Sequence, residues 1–593
     1  MSIVSLCRVT LFGLLGDKQK ILEDLQALGC LHLVPLAAAP EESENEPPQH
    51  AVEARKALRY LLDVPERRRQ VHDAPDFDMA ATVARVLDNQ HGLRQVRDRR
   101  DSLALRAREL TPWGDFRLPP GDQLGERRLW FYILPLRELP ALEALELPWQ
   151  MVHRDNRQAW VVVVHETEPN PETLPLYRTH TGALSLSEVE RRLEQAEIAL
   201  EDILAERVSL TRWIYQILAH MARAEDEASL RFAASRALET DPLFAVQGWA
   251  PERDRERLAD FALDRGLALL AEAPTPQDQP PTLLDNPSSL AAGEDLTGFY
   301  QMPPYRGWDP SSVLFFSFAL FFSMILSDAG YAALLGLLLL ALWRRLGRGE
   351  RGRRLRVLGA GLAGASLIWG VLVGSYFGTG PPEGSLAGYL KVLDINDFET
   401  MMRLSVGIGM LHLVMANGQQ AWLHWGRRES GVPLGWIAVM LGGMVLWIEL
   451  GQPGILLTGL GFTLVFWFGG SHPLDGARGL ALRVLQGLRA LTDVTKVFGD
   501  VLSYLRLFAL GLASASLALT FNGLARQVME QYPGVGLLFG LVILLVGHTL
   551  NLALSVMSGV VHGLRLNFIE FYNWALSGEG YPFKAFRKKE LRE

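Results

Sequence analysis

The chain has 593 residues, of which 49% are hydrophobic and 21% charged, with a formal net charge of −8 and two cysteines. Cys7 and Cys30 are too few for a disulfide framework. Net charge of this size reports on solubility rather than on partners, and nothing in the sequence points to nucleic acid.

The composition is an average over two halves. Residues 1–300 are mixed and charged, whereas residues 311–576 are mostly apolar. That second stretch holds several runs near the roughly 20 residues needed to cross a hydrocarbon core. Residues 1–15 are apolar enough to resemble a signal peptide, but Arg8 interrupts the run. No charged region precedes it and no small-residue cleavage site follows. The expectation is a buried strand, with the N-terminal half staying on the synthesis side of the membrane.

Residues 5–15 read as a strand, 18–28 as a helix and 31–36 as a second strand after Gly29. A comparable unit spans 128–165, with strands at 129–133 and 160–164 around a helix-like 139–145. A third, 243–249, 253–265 and 268–271, is again strand, helix, strand. These patterns predict small α/β lobes. Between them, Val189, Leu193, Ala196, Leu200, Ile203, Leu210, Ile214 and Ile217 follow alternating spacings of 4 and 3, with Arg207 filling one seam position. Ser187 and Glu190 have the spacing of a capping box at the start of this helix. Val86, Leu93, Val96, Leu103 and Leu110 form a matching seam over 79–110. The two helices fit an antiparallel coiled-coil arm; amphipathic helices of an ordinary helical domain are the competing reading. Residues 272–292, rich in proline, read as a linker into the membrane half.

Eight spans fit the apolar half: 311–327, 330–343, 355–377, 402–425, 434–450, 455–469, 481–524 and 535–576. The first two flank a turn at 327–330, and the last two are long enough to require tilting, bending or extension beyond the bilayer. Arginine placement agrees with this count. Loop 344–356 carries seven arginines, followed by Arg427 and Arg428, then Arg478, Arg483 and Arg489, and finally Arg587, Lys588, Lys589 and Arg592. Intervening loops hold little beyond Lys391 and Arg526. The positive-inside rule then puts both termini in the cytoplasm.

Arg506 lies in the apolar run 497–513. A guanidinium keeps its proton in proteins, and its cost at a helix centre is about 2.5–3.5 kcal/mol. At 1.5 Å per residue it is about 14 Å inside the run, too deep for easy snorkelling. Asp493, Lys496 and Asp500 share a face of the same helix, with Ser503 and Tyr504 deeper. In the last span His548, Asn551, Ser555, Ser558, His562 and Arg565 step by 3, 4, 3, 4 and 3, one polar stripe, and Glu570 follows. Such a stripe looks like the wall of a water-accessible path. Packed core histidines, and an arginine bonded to backbone carbonyls or locking two helices, are the competing readings. No acid lies between Asp500 and Glu530, or in the last span before Glu570, so an ion-binding carboxylate would come from another chain. There is no P-loop, metal-ligand spacing or nucleophile constellation, so no catalytic, cofactor or metal site is expected.

Segments 503–513, 561–571 and 578–586 together resemble the membrane stator subunit of rotary V/A-type ATPases, called subunit a or, in prokaryotes, subunit I. Segments 248–251, 280–286 and 327–331 also resemble the family pattern, and the size is similar to that of the bacterial and archaeal branch. The resemblance implies a mostly α protein. N-terminal cytoplasmic α/β lobes joined by a coiled-coil arm would occupy 1–300, and an eight-helix membrane domain 301–593. It implies a non-enzymatic subunit in the cell inner (plasma) membrane. Its partners would be a proteolipid c-ring, peripheral-stalk subunits of the E/G type, the central stalk or rotor cap, and an ATPase head. Arg506, with Arg565 near it, would attract the ring carboxylate and block leakage between two ion half-channels. Three positions depart from the pattern, one of them Gly307, which replaces an acid usual in the family. Ser555 stands where some members carry an acid, and Ser514 where they carry a histidine. An outer half-channel would then depend on His562, Ser558 and Asn551 with water. A secondary ion transporter with a cytoplasmic regulatory domain is the alternative, but spans 1–4 and 5–8 show no repeat.

Overall fold

The computed structural model of the chain describes residues 2–36, 49–119, 124–143, 147–169, 178–382, 384–449, 451–470 and 476–589. Leu145, Leu450 and Arg592, which close three of the segments read from sequence, lie outside the described residues. In chain order the N-terminal half gives β1 (Leu6–Leu14), α1 (Lys18–Leu28), β2 (His32–Val34), α2 (Gln49–Leu62), α3 (Met79–Leu110), β3 (Arg128–Pro135), β4 (Trp149–Arg154) and β5 (Gln158–His165). Then come α4 (Leu186–Leu210), α5 (Ile214–Arg236), β6 (Leu238–Thr240), β7 (Leu243–Pro251), α6 (Arg255–Asp264), β8 (Ala268–Glu272) and α7 (Ala291–Tyr300). The apolar half gives α8 (Ser311–Leu326), α9 (Ala329–Leu346), α10 (Glu350–Val373), α11 (Phe398–Leu423), α12 (Gly431–Trp447) and α13 (Gly451–Phe468). It continues with α14 (Gly476–Leu491), α15 (Val494–Ser503), α16 (Leu505–Gln531), α17 (Val535–Arg565) and a π-helix, Leu566–Phe571. The chain divides into two compact units, one of Met1–Lys18, Cys30–Leu36 and Ala237–Phe586, the other of Gln19–Gly29, Ala37–Arg236 and Arg587–Glu593.

In the first unit the first and third predicted α/β pieces are halves of one sheet. Its order is β2-β7-β1-β8, with β6 also on β7, and every pairing is antiparallel. A pair of strands with one helix cannot bury a face of its own, and β2 pairs with β7 rather than with β1. Arg8 is accommodated in β1 by Glu272 and Asp278.

The proline-rich stretch is a fixed part of this unit rather than a free linker. Buried Thr282 donates through N–H to Tyr581 O at 2.8 Å and through Oγ1 to Pro303 O at 2.7 Å. The segment after the last helix runs along the same place. Phe583 N donates to Thr282 O, Lys584 N to His32 Nδ1 and Phe586 N to Leu31 O, at 3.0, 2.9 and 2.7 Å. The end of the membrane half is thus bonded to the N-terminal sheet.

The second unit contains the predicted arm. Leu103, Ala107 and Leu110 of α3 meet Val189 and Leu193 of α4 at one end, whereas Val83 and Val86 meet Ile203 and Leu210 near the other. The pairing is therefore antiparallel. A 3-10 turn at Thr211–Trp213 interrupts the second helix before Ile214. The N-cap is Ser185, which accepts from Glu188 N, so the predicted box at Ser187 and Glu190 starts two residues late. Ser187 N donates instead to Asp115, and Glu188 is taken by Arg191 and Arg192. Tyr60 of α2 donates to Asn89 of α3 at 2.8 Å, and Asn89 donates to Glu206 of α4 at 2.9 Å. Sheet β3-β5-β4 closes around Trp130, Tyr132 and Val161.

Each of the eight apolar segments forms helix. Six are long and apolar enough to cross a membrane by length and composition. Of the other two, α8 has 16 residues, and the 26-residue α11 carries Glu399, Arg403, His412 and Asn417. The seventh segment is not one helix. It breaks after Leu491 and again at Tyr504, into α14, α15 and α16. The turn at 327–330 is built around buried Asp328, the N-cap of α9. Asp328 Oδ1 accepts from Tyr331 N and Phe377 N at 2.9 and 3.0 Å, and Oδ2 from Ser375 Oγ and Gly378 N at 2.7 and 2.8 Å. Gly378 has φ 76° and no room for a side chain, since a Cβ would lie 2.5 Å from Ala518 Cβ.

An asparagine at Asp328 would present an NH2 group to donors, orphaning at least one of them at a cost of about 1–3 kcal/mol. Asp328→Asn should therefore lower the thermal midpoint of the purified protein, and an unchanged midpoint would contradict the cap. In the arm, Asn89 and then Arg85 hold the Glu206 carboxyl below its ordinary range. Its contribution is complete above the unfolded value of about 4.3 and is lost as pH falls through the lower folded value. Amide protection of α3 and α4 should drop across that acid window, and Glu206→Gln should remove the drop.

Candidate functional site

Two helix irregularities bracket the arginines. Tyr504 is both the last cap of α15 and the first of α16, with φ −73° and ψ −17°. Around it the bonds shorten to i−3 spacing: Tyr504 N to Val501 O and Leu507 N to Tyr504 O, at 3.2 and 3.0 Å. Arg506 follows directly. On the facing helix, α17 ends at Arg565 and passes into the π-helix that contains Glu570. Such turns tend to mark functional positions because they rotate side chains out of the regular stripe.

Both irregularities rest on His412 of α11. The fully buried Tyr504 hydroxyl lies 2.8 Å from His412 Nδ1, and the Phe571 ring stacks on the imidazole at 4.2 Å and 10°. Phe321 of α8 meets both rings edge-on. One turn before His412, Gly409 leaves the space that Tyr504 occupies: a Cβ there would be 2.4 Å from Tyr504 Cγ. A glycine and a histidine on one face of α11 thus seat the helix break.

The geometry of α16 and α17 fixes the level of Arg506. Ser514 Oγ and Ser555 Oγ are 2.7 Å apart across the pair. Arg506 is eight residues before Ser514, so it lies level with about residue 563, between His562 and Arg565. His562 and Glu570 are both within electrostatic reach of Arg506 and Arg565, and Glu570 also of Asp500. Arg506 is half-buried, with Nη1 buried and unbonded. Glu570 Oε2 and His562 Nδ1 are likewise buried and without a hydrogen bond. Among the described residues neither Arg506 nor Arg565 is in an ion pair. Arg565 is exposed.

The rest of the predicted set divides in two. Asp500 accepts from Trp574 Nε1 at 2.7 Å, and Lys496 lies 4.6 Å from the centre of that ring, so the two share one indole. Asp493 is exposed, and Ser503 Oγ turns back to Gly499 O at 3.0 Å. Of the stripe, Ser558 and His562 are half-buried beside the arginines. The other end is closed. Asn551 donates to Ser514 O at 2.9 Å and to Tyr331 Oη at 3.0 Å. Tyr331 Oη lies 2.7 Å from His548 Nδ1, His548 Nε2 lies 3.0 Å from Asn522 Oδ1, and Asn522 donates to Phe377 O at 2.8 Å. With Asn522 Oδ1 accepting, His548 carries its proton on Nε2, and Nδ1 accepts from Tyr331. His548, Asn551 and Ser555 thus belong to a satisfied network, whereas Arg506, His562 and Glu570 each keep a buried atom unbonded.

The sequence reading missed His412, Tyr331, Asn522 and Trp574. Tyr331 sits in the quoted 327–331 segment, and Asn522 is the one amide in the apolar stretch 505–525. His412 had no signal of its own, because its role depends on Gly409 and on two helices far away in the chain.

A family model described as the V-type ATPase 116kDa subunit family matches residues 496–588, which include both arginines, the helix break and the π-helix. The chain is 28% identical over 455 residues to an A-type ATP synthase subunit I of Methanocaldococcus jannaschii, covering 69% of this chain and 64% of that protein. It is 30% identical over 416 residues to a V-type ATP synthase subunit I of Chlamydia pneumoniae, covering 58% and 61%. These matches span less than two thirds of those relatives. A V-type ATP synthase subunit I 1 of Treponema pallidum matches at 26% identity over 99% of this chain and 100% of its own length. The crystal structure of a cytoplasmic N-terminal domain of subunit I, a homolog of V-ATPase subunit a, aligns with 45% of this chain and 99% of its own at 16% identity. Its TM-score of 0.23 is too low to carry an argument about the fold. The family match thus falls on the arginine-bearing helices, and the chain as a whole is similar to prokaryotic subunit I proteins, one of them from end to end.

Proposed function

We propose that this chain is the membrane stator of a rotary V/A-type ATPase, in which it forms two ion half-channels against a proteolipid c-ring. The observation that carries this is Arg506: an obligate cation in an apolar helix, with a buried unbonded Nη1 and no ion pair among the described residues. A carboxylate carried past on a ring would supply the missing acceptor, and the opposite charge would favour its deprotonated form and ion release. Arg565 and Glu570 would line the inner approach, with Asp500, Lys496 and Asp493 at its mouth, and His562 and Ser558 would lead from the arginines into the outer half-channel. Ser514, Ser555, Asn551 and His548 would mark the other side. ATP would be hydrolysed or made in a separate head, so the chain is not itself an enzyme; coupling would pass through a central stalk.

Residues 1–300 would form the stator arm held by peripheral-stalk subunits of the E/G type, and 301–593 the translocation domain with eight spans. Bonding of the post-membrane segment to Leu31 and His32 supports an even number of crossings, since both chain ends then lie on one side. The arginine-rich loops support a cytoplasmic position for that side, in a cell inner membrane.

In vesicles bearing the assembled complex, Arg506→Ala should reduce ATP-driven ion uptake to background while the ring and head still copurify. Uptake at the unmodified rate would overturn the proposal. Tyr504→Phe keeps the ring but orphans His412 Nδ1, at a cost of about 1–3 kcal/mol. It should lower uptake per ATP hydrolysed, because the break that sets Arg506 loosens. An unchanged ratio would show that the hydroxyl bond does not set the arginine.

A further inference from the structure

We propose that the open end of the α11–α12 hairpin binds one zwitterionic aminophospholipid of the phosphatidylethanolamine type. The two helices are joined by the turn at 424–430. At the opposite end they enclose a cavity of about 550 Å3, lined by Arg403, Gly407 and Leu411 of α11 and by Leu441, Trp447 and Glu449 at the end of α12. That volume is in the roughly 300–1,000 Å3 range of small-molecule sites.

The lining is graded as an amphiphile requires. Arg403 and Glu449 stand at the mouth, while Leu411 and Leu441 lie about eight residues deeper on their helices, or about 12 Å at 1.5 Å per residue. The walls between are apolar. Gly407 leaves the chamber open, since a Cβ built there meets nothing within 4 Å. A glycine in mid-helix is less favourable than alanine, and no close helix contact at this position offsets that.

Charge at the mouth selects the headgroup. Arg403 is paired with Glu399, which engages Nη2 and leaves the other N–H groups of the fork for a phosphate. Glu449 is exposed and makes no ion pair among the described residues. Two carboxylates and one guanidinium give the mouth a net negative charge, which opposes an anionic lipid. A primary ammonium reverses that sign and donates to Glu449, and a cation there also meets the Trp447 ring. A choline headgroup offers no N–H to donate. Tryptophan and arginine at this level are interfacial residues, so the mouth faces headgroups rather than acyl chains.

The test uses the intact complex in nanodiscs of equal phosphatidylethanolamine, phosphatidylcholine and phosphatidylglycerol, extracted into detergent and read by native mass spectrometry. Retained lipid should be enriched in phosphatidylethanolamine by about fivefold, the scale of one partly exposed ion pair. Glu449→Gln, a surface change that leaves packing intact, should abolish that preference. Gly407→Leu should fill the chamber and remove at least one retained lipid per chain. Equal retention of the three lipids by the unmodified protein would overturn the proposal. So would a preference that survives Glu449→Gln, even if Gly407→Leu fails to fold.

Discussion

A guanidinium that cannot be neutralised, held where water is scarce, constrains everything around Arg506. Its N–H groups ask for acceptors, yet a permanent acid beside it would cancel the charge that makes it useful. The structure answers with near neighbours rather than partners. Glu570 and His562 lie within electrostatic reach, but among the described residues no carboxylate closes to ion-pair distance. Keeping the guanidinium in that intermediate state requires that α16 cannot rotate or slide by even part of a turn. The break at Tyr504, its hydroxyl on His412 and the glycine seat at Gly409 supply that restraint from outside the helix.

Two groups of polar residues in the membrane half have different jobs. Around Asp328, Tyr331, His548 and Asn522 each donor finds an acceptor, and the chain of bonds runs from Ser514 on α16 to the turn at 375–378. In low dielectric such a network is rigid, because opening any link exposes an unpaired group. Around Arg506 the reverse holds, with buried atoms of Arg506, His562 and Glu570 left unbonded. The first class fixes the frame, and the second is where chemistry with an outside partner is feasible.

Much of this was legible in the sequence for a definite reason. Arg506 and Arg565 stand out because an apolar background makes any charge conspicuous, and the 3-and-4 spacing from His548 to Arg565 is a property of one helix read alone. The antiparallel arm was legible for the same reason, as two local seams. What stayed hidden depends on pairs distant in the chain. The first and third α/β pieces merge because β1 pairs with β7, more than 230 positions later. The second-to-last span is broken because Tyr504 is claimed by His412, 92 positions earlier. A composition window that sees only apolar residues from 481 to 524 cannot register either effect. The stripe also misled in part: period placed His548 and Asn551 on the same face as His562, but only neighbouring helices decide which end of that face stays open.

The bonding of residues 581–586 to Thr282, Leu31 and His32 has a consequence for biogenesis. Synthesis runs from the N-terminus, yet β1 must wait for β7 and β8 before its hydrogen bonds are made. The backbone groups of Leu31 and Thr282 then wait again, until the apolar helices have been made and residues 581–586 follow. Long-range pairing of this kind is slow, because loop closure must come before any contact rewards it. The bonds of residues 581–586 to Leu31, His32 and Thr282 can therefore form only after the apolar helices between them have been made.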